Sequence, residues 1–231
     1  MEIVVHPGDT FWYYSQWFQI PLILIEDANP GVPPQALFVG QRVRIPGFHL
    51  LPYTIEPGET IADLARRYQI SKEALLRANP GLIQEQITPG IQIQLPVRIT
   101  GSLVQRQKPY DFATLEEDLQ VLASAFHFIN IEPVGFSVLG KPIYEIHFGR
   151  GERVIHLNGS FHANEWMTTP VLLQILETFL LSLINGKKLR GVETLPLYEK
   201  NSVSIVPMVN PDGVDLVLHE PPVERRDEIL A

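Results

Sequence analysis

The pattern of apolar and polar positions divides the chain into two parts. Over the first hundred residues, short apolar runs are separated by Pro-Gly and Asn-Pro-Gly breaks, which is typical of small modules with short strands and helices. From Tyr110 onward the pattern becomes helical, with one apolar face formed by Leu115, Leu119, Leu122, Ala123 and Phe126. Continuous apolar runs follow this helix, so two kinds of folded unit are predicted.

The first part contains one unit twice. Residue n matches residue n+50 without a gap, so that HPGDT at 6–10 aligns with EPGET at 56–60, and ANPG recurs at 28–31 and 78–81. Each copy is predicted to run strand, helix, helix, strand. In the second copy Ser71 is the expected N-cap of a helix that ends at Asn-Pro-Gly, because proline cannot continue it. A closing strand is expected at 92–95.

This repeated unit resembles the lysin motif (LysM), in two copies covering residues 2–46 (repeat 1) and 53–96 (repeat 2). The resemblance implies binding to glycans that contain N-acetylglucosamine, above all peptidoglycan. The implied groove lies between the strand-to-helix turn and the loop after the second helix. Its candidate glycan-binding residues are Gly8, Asp9, Thr10, Asn29 and Pro30 in repeat 1, and Gly58, Glu59, Thr60, Asn79 and Pro80 in repeat 2. For each residue alone, a role in a turn or cap is the simpler explanation.

The first helix of repeat 1 departs from its counterpart because it is aromatic, with the sequence Phe-Trp-Tyr-Tyr at 11–14 and Trp17. Two roles for these rings stay open. They either belong to the core of the repeat or pack the two copies together.

The second part is predicted to form an α/β layer. After the helix that starts near Tyr110, strands are expected at 133–139 and 142–148, a third strand at 154–158, a long helix at 169–184, a polar loop at 187–200 and a fourth strand at 203–209. This order indicates a mixed sheet. The fold class is therefore α/β overall, with two small βααβ LysM modules, a linker at 97–109 and a mixed-sheet domain over 110–231.

The apolar run at 154–158 precedes the candidate functional residues. The run predicts a buried strand that ends at Asn158-Gly159-Ser160, and His162 and Glu165 follow directly before a helix. In open α/β sheets the carboxyl ends of strands are where ligands bind. An imidazole and a carboxylate at i and i+3 can converge on one cation, because one turn brings them to the same side. Zinc accepts both donors, and a catalytic zinc typically has three protein ligands and a water.

A His-x-x-Glu pair alone is common in helical proteins, but its context here is specific. A second apolar run ends in Asn-Pro-Asp-Gly at 210–213, and the pair GSFHANEW and VNPDG resembles the zinc carboxypeptidase family, the carboxypeptidase A-like metallopeptidases. The resemblance implies a zinc cofactor with His162 and Glu165 as its first two ligands. It places a second histidine ligand, the substrate-binding arginine and asparagine, and the general-base glutamate much further along, beyond Ala231. His219 follows the 210–213 segment too closely to be the matching ligand.

Two expectations follow from that placement. The ending at 221–231 is predicted to be a short helix in mid-domain, so the chain is expected to be either a front part of a longer peptidase or a natural remnant. Two ligands hold zinc poorly. The isolated chain is therefore expected to be inactive or nearly so.

Composition narrows the classes of partner. The net charge of −8 argues against nonspecific binding to nucleic acid or anionic membranes. There is no cysteine, so a metal must be held by histidine and carboxylate. No membrane span is expected, because the apolar stretch at 171–184 is interrupted by polar residues, and the N-terminus carries no recognisable secretory signal. A cytoplasmic start or an association with cell wall or spore is expected.

A glycan-binding repeat pair joined to a carboxypeptidase-like domain resembles the γ-D-glutamyl-meso-diaminopimelate peptidases of bacteria. The expected function is a zinc peptidase that acts on peptidoglycan stem peptides at the γ-D-glutamyl-diaminopimelate bond. Its expected partners are the glycan chains, bound by the LysM repeats, and the stem peptides. The alternative is a noncatalytic peptidoglycan-binding protein with a degraded peptidase scaffold.

Overall fold

The computed structural model of the chain describes residues 1–82, 88–104 and 109–219. It contains two compact units. Unit 1 comprises Met1–Gly101, Ser124–Phe128 and Leu180–Val192, and unit 2 comprises Ser102–Ala123, Ile129–Phe179 and Glu193–Ala231.

Two βααβ modules make up most of unit 1. Repeat 1 contains β1 (Glu2–Val4), α1 (Phe11–Phe18), α2 (Leu22–Asp27) and β2 (Arg42–Arg44), and repeat 2 contains β3 (Phe48–Thr54), α3 (Ile61–Arg67), α4 (Lys72–Ala78) and β4 (Gln92–Arg98). Within each repeat the two strands pair antiparallel. The strand-helix-helix-strand order is confirmed. β4 continues three residues past its predicted end into the segment predicted as a linker, of which residues 105–108 lie outside the described part.

Side-chain caps explain where the helices of the repeats begin. The Thr10 hydroxyl oxygen accepts a hydrogen bond from the Tyr13 amide at 3.1 Å. The Ser71 hydroxyl oxygen accepts one from the Ala74 amide at 3.0 Å, which confirms the predicted N-cap. Thr60 forms a capping box with Asp63 in α3. These bonds satisfy amide groups that have no partner inside the helix.

A buried ion pair joins the two repeats. The Asp9 carboxylate of repeat 1 accepts hydrogen bonds from Arg77 of α4, with Nη2–Oδ1 at 2.7 Å and Nε–Oδ2 at 2.8 Å. It also accepts the Tyr14 hydroxyl at 2.8 Å and the His6 amide at 2.9 Å. Burial raises the pKa of Asp9, but the hydrogen bonds from Arg77, His6 and Tyr14 outweigh it, so the pKa lies below its ordinary value. The Arg77 guanidinium lies 5.0 Å from the centre of the Trp17 ring.

Unit 2 contains a four-stranded mixed sheet. From residue 112 onward the elements are α5 (Phe112–Ala125), β5 (Asn130–Phe136), β6 (Pro142–Phe148), β7 (Arg153–Asn158), a 3₁₀ turn (Ala163–Glu165), α6 (Thr168–Asn185), β8 (Lys188–Leu189), β9 (Val192–Glu193), α7 (Leu195–Lys200), β10 (Asn201–Val206) and α8 (Pro211–Leu218). The sheet order is β5-β6-β10-β7. β10 is antiparallel to β6 and parallel to β7, which confirms the mixed sheet.

Two segments between the predicted helices and strands contain regular structure. The stretch at 187–200, predicted as a loop, holds β8, β9 and α7, and Tyr198 of α7 is buried. The segment at 210–213 forms the start of α8. Asn210 caps α8, its side-chain oxygen accepting the Gly213 amide at 2.9 Å, and Pro211 takes the first helical position. The predicted helix at 221–231 lies outside the described residues.

The position of β7 differs from the prediction of a buried strand. Within the described residues β7 lies at one edge of the sheet, and Val154 is 69% exposed. An apolar run indicates that a strand is suited to burial, but it does not show whether another segment packs on that strand.

By length and composition alone, the 18-residue helix α6 is long and apolar enough to cross a membrane, and 44% of it is buried within the protein. No other helix among the described residues passes this test. Core helices pass it as well, and Leu173, Leu176 and Glu177 of α6 are all buried. The test is thus weak evidence for a membrane span.

Replacing Arg77 by alanine would leave the Asp9 carboxylate, whose side chain is 2% exposed, without its charged partner. We expect Arg77→Ala to lower the free energy of unfolding by about 2 kcal/mol, measured by urea denaturation of the whole chain. The matched control is Arg66→Ala, which removes an arginine paired with Asp63 on the exposed side of α3. Equal denaturation midpoints for the two variants would contradict this prediction.

A second prediction concerns His127 in unit 1. Its Nδ1 atom is buried and has no hydrogen-bond partner among the described residues. Burial, together with the positive charges of the Met1 amino group and Arg44, lowers the pKa of His127 to about 4.

The pKa of His127 is lower in the folded chain than the ordinary 6.5. The neutral His127 side chain therefore contributes fully to stability above pH 6.5, and this contribution is lost as the pH falls toward 4. We expect His127→Phe to flatten the decline in the free energy of unfolding across this range, measured by urea denaturation at successive pH values. A variant that declines as steeply as the parent would contradict the assignment.

Candidate metal centre

His162 and Glu165 lie on the turn that leads from the carboxyl end of β7 into α6. The parallel neighbour β10 ends at the same edge of the sheet. Past the last paired strand residues, three backbone hydrogen bonds of 3.0 Å join the two chain segments, from Gly159 N to Val206 O, from Val209 N to Gly159 O and from Asn210 N to Ser160 O. The start of the turn, at Gly159 and Ser160, is therefore attached to the segment that leads into α8.

The structure brings the two predicted metal ligands together. His162 Nδ1 and Glu165 Oε1 are 3.1 Å apart, and the two side chains are 71% and 49% exposed. His162 precedes the 3₁₀ turn and Glu165 ends it, and the Glu165 amide donates to the His162 carbonyl at 3.0 Å. The two side chains are in hydrogen-bond contact with each other. An imidazole nitrogen and a carboxylate oxygen are donor types that zinc accepts, so His162 and Glu165 would hold a zinc ion there.

Three hydroxyl side chains, which the sequence reasoning missed, hold the backbone of this turn. Ser160 is buried with φ at 47°, and its amide donates to Thr168 Oγ1 at 2.6 Å. The Thr168 hydroxyl donates to the Glu165 carbonyl at 2.9 Å. Ser160 Oγ lies 2.7 Å from Thr169 Oγ1, which donates to the Pro207 carbonyl at 2.6 Å. One network thus connects the left-handed backbone of Ser160 with the backbone carbonyl of Glu165.

The helix α8 packs against the 3₁₀ turn because Gly213 has no side chain. A Cβ atom at Gly213 would lie 2.8 Å from Ala163 Cβ and 2.5 Å from Asn210 Nδ2. Asp212 ties the same helix to the β5–β6 hairpin, since its carboxylate accepts the Ser137 hydroxyl and the Leu139 amide, both at 2.9 Å. The Asn-Pro-Asp-Gly segment therefore positions α8 beside the candidate metal ligands.

The histidines of unit 2 other than His162 have different partners. His219 Nε2 lies 2.9 Å from Asp111 Oδ2, and His147 and His156 lie within 2.8 Å of the hydroxyl oxygens of serines on β10. Burial raises the pKa of Asp111, but hydrogen bonds from Thr114 and His219 outweigh this and lower it. Across residues 1–82, 88–104 and 109–219, no group of three or more His, Asp or Glu side chains could hold a metal. The described residues thus provide two donors for the candidate metal centre, His162 and Glu165.

In repeat 2, two of the five candidate glycan-binding residues line a cavity. Asn79 and Pro80 belong to a cavity of about 410 Å³, together with Gly81, Leu82 and residues 91–94. Gly58, Glu59 and Thr60 are not among its lining residues. The Glu59 carboxylate instead accepts the Tyr53 hydroxyl and the Glu56 amide and pairs with Arg67, and Thr60 caps α3.

In repeat 1, the polar side chains among the candidate glycan-binding residues are hydrogen-bonded to other groups of the protein. Asp9 is bound to Arg77, and Thr10 caps α1. The Asn29 side chain donates to the carbonyls of Ile25 and Arg44 at 2.8 Å and accepts the Arg44 amide at 2.7 Å. Asn79 forms the same three bonds in repeat 2. Gly8 and Gly58 adopt φ values of 82° and 85°, which suit the turn, and Pro30 and Pro80 are exposed.

The close approach of α8 to the turn that carries His162 and Glu165 can be tested at Gly213. We expect Gly213→Ala to lower the free energy of unfolding by about 1–3 kcal/mol, because the added methyl group overlaps Ala163 and Asn210. The control is Gly135→Ala on β5, where a Cβ atom meets nothing within 4 Å. Thermal denaturation measures both, and a Gly213→Ala chain as stable as the Gly135→Ala chain would contradict the packing argument.

Known families match both parts of the chain. The LysM domain matches residues 3–46 and 53–96, and the zinc carboxypeptidase family matches residues 115–227. Both resemblances deduced from the sequence are thereby confirmed.

Two relatives are similar to this chain over part of their length. The chain is 43% identical over 222 residues to gamma-D-glutamyl-L-diamino acid endopeptidase 1 of Lysinibacillus sphaericus, covering 96% of this chain and 56% of that protein. It is 34% identical over 203 residues to the uncharacterized protein YqgT of Bacillus subtilis (strain 168), covering 76% of this chain and 54% of that protein. The chain thus spans about half the length of these relatives.

Among solved structures, bovine thrombin-activatable fibrinolysis inhibitor in complex with tick carboxypeptidase inhibitor is 18% identical, with a TM-score of 0.41 over 48% of this chain and 34% of that chain. A likeness at this TM-score adds no weight to the sequence matches. From the family matches and the relatives, the chain consists of two LysM domains followed by a segment that belongs to the zinc carboxypeptidase family.

Proposed function

We propose that this protein is a metallopeptidase of the cell wall or spore, in which the LysM repeats bind peptidoglycan glycan chains. The zinc carboxypeptidase segment contributes His162 and Glu165 to a site that hydrolyses the γ-D-glutamyl-diaminopimelate bond of stem peptides. The observation that carries the proposal is the separation of 3.1 Å between His162 Nδ1 and Glu165 Oε1 at the sheet edge. The relative from Lysinibacillus sphaericus, named as a gamma-D-glutamyl-L-diamino acid endopeptidase, supports the choice of bond.

Zinc is the cofactor that the family implies, and this pair of donors fits it. When bound, zinc lowers the pKa of a coordinated water and polarises the carbonyl that the water attacks. The residues of this chain act by positioning. Ser160, Thr168 and Thr169 hold the backbone of the turn, and the His162 imidazole and the Glu165 carboxylate are in hydrogen-bond contact with each other. A preformed pair loses less conformational entropy when it binds.

For the repeats, the cavity beside Asn79 and Pro80 supports glycan binding by repeat 2. Its lining combines Asn79, Pro80 and Gly81 of the loop after α4 with apolar residues such as Leu82 and Ile91. Acetamido and hydroxyl groups of a sugar can bond the former and its carbon skeleton can contact the latter. Because the Asn79 amide is already bonded to Leu75 and Gln94, its part in the site is to hold the loop in place.

Zinc binding can be measured directly at the proposed ligands. We expect zinc to shift the imidazole NMR signals of His162 in the whole chain. Glu165→Gln should raise the zinc concentration that gives half of the shift at least about tenfold, because a carboxylate donor is lost. The control is His219→Ala, since His219 is paired with Asp111. Signals of His162 that do not respond to zinc, or that respond equally in Glu165→Gln, would contradict the assignment.

The alternative is a noncatalytic peptidoglycan-binding protein, and one observation favours it. The described residues offer two donors and no group of three. Cleavage of a muropeptide separates the two functions. Cleavage that requires zinc and is abolished by His162→Ala supports the peptidase. Retention on peptidoglycan without zinc binding at His162 and without cleavage supports the noncatalytic protein.

A further inference from the structure

Three aromatic rings form one cluster on α1 of repeat 1, and we call it the aromatic face. The rings of Tyr13 and Trp17 are stacked, with centroids 5.5 Å apart and planes 13° apart, and Trp12 meets Tyr13 edge-on at 5.3 Å. Trp12 is 55% exposed and Tyr13 is 41% exposed. The rings on the opposite side of α1, such as Phe11, Tyr14 and Phe18, are buried in the core.

Comparison of the two repeats shows that this helix forms without the aromatic cluster, although Trp17 packs against Arg77 of repeat 2. At the positions aligned with Trp12, Tyr13 and Trp17, repeat 2 has Ala62, Asp63 and Arg67, and it forms the same helix. The buried positions are apolar in both copies, with Phe11 and Tyr14 in one and Ile61 and Leu64 in the other. The exposed rings are therefore a feature of repeat 1 that its core does not explain. Exposed tryptophan and tyrosine are the residues most enriched at binding hot spots.

The aromatic face is continuous with the strand-to-helix turn at which glycan binding is proposed. Thr10 of that turn accepts the Tyr13 amide at 3.1 Å, so the turn and the first exposed rings are joined within one helical turn. The polar side chains of the turn have little left to offer a ligand. Asp9 is buried against Arg77, and Thr10 caps the helix. Trp12 and Tyr13 are exposed beside this turn and can contact a ligand there.

We propose that the aromatic face stacks against a neutral sugar ring of a glycan chain built from β-linked N-acetylhexosamines. This inference rests on the proposed glycan binding by the repeats and adds to it a site outside the implied groove. A β-linked pyranose presents a flat face of axial C–H groups, which can stack on the exposed ring of Trp12, while the Tyr13 ring, inclined at 66° to that of Trp12, contacts the sugar at its edge. The Tyr13 hydroxyl can bond a sugar hydroxyl at the edge of the ring. Trp17, held under Arg77 at 5.0 Å, supports the stack from behind.

The test is calorimetric titration of the whole chain with the hexamer of β-1,4-linked N-acetylglucosamine. We expect the double variant Trp12→Ala/Tyr13→Ala to bind with a dissociation constant about tenfold higher than that of the parent. Trp12→Phe keeps an aromatic surface and should lie close to the parent. The control is Phe136→Ala, which removes an exposed ring of unit 2 and should bind like the parent. Thermal denaturation verifies that all variants are folded.

The outcomes separate this inference from the proposed function. If the parent binds neither the hexamer nor insoluble peptidoglycan, glycan binding by the repeats and the aromatic site both fail. If the parent binds and the double variant binds equally well, the aromatic site fails while glycan binding stands. Equal affinity accompanied by a change from dimer to monomer in sedimentation would identify the aromatic face as a self-association surface, and would likewise overturn the inference.

Discussion

The parallel pairing of β7 with β10 is the constraint on which the candidate metal centre depends. Its register sets Asn158 beside Val206, so the two chain segments leave the sheet at the same edge and side by side. The Gly159–Ser160 backbone then bonds to the segment before α8, and that helix comes to rest on the His162–Glu165 turn. Without this pairing the donors would sit on an isolated turn. Their orientation would then depend on local preference alone.

The contrast between what could and could not be predicted at this site follows from sequence distance. His162 and Glu165 are three residues apart, so their convergence needs only one turn and can be deduced from spacing. The bond from Thr169 to the Pro207 carbonyl and the contact of Gly213 with Ala163 join residues about 40–50 positions apart. No local pattern encodes such contacts. The exposure of β7 escaped prediction for a related reason, because burial depends on a neighbour that the strand does not specify.

The repeats also show that a sequence pattern does not reveal contacts between residues far apart in the chain. The 50-residue period correctly predicts two βααβ modules, because both copies repeat their turn and cap residues. It treats Asp9 and Glu59 as equivalent, yet their partners differ. Asp9 pairs with Arg77 of the other repeat, whereas Glu59 bonds Tyr53 and Arg67 of its own. An internal alignment compares each position with its copy, and it therefore cannot detect a contact made between copies.

The contact between copies has a consequence for glycan binding. Because Asp9 and Arg77 join the repeats through a buried, bidentate ion pair, the proposed aromatic site and the cavity beside Asn79 lie in one compact unit. Two sites held in one unit can bind one long chain without the entropy cost of ordering a flexible connection. They gain avidity only from a glycan long enough to reach both. If both sites bind glycan as proposed, the two repeats would therefore favour extended polymer over short fragments.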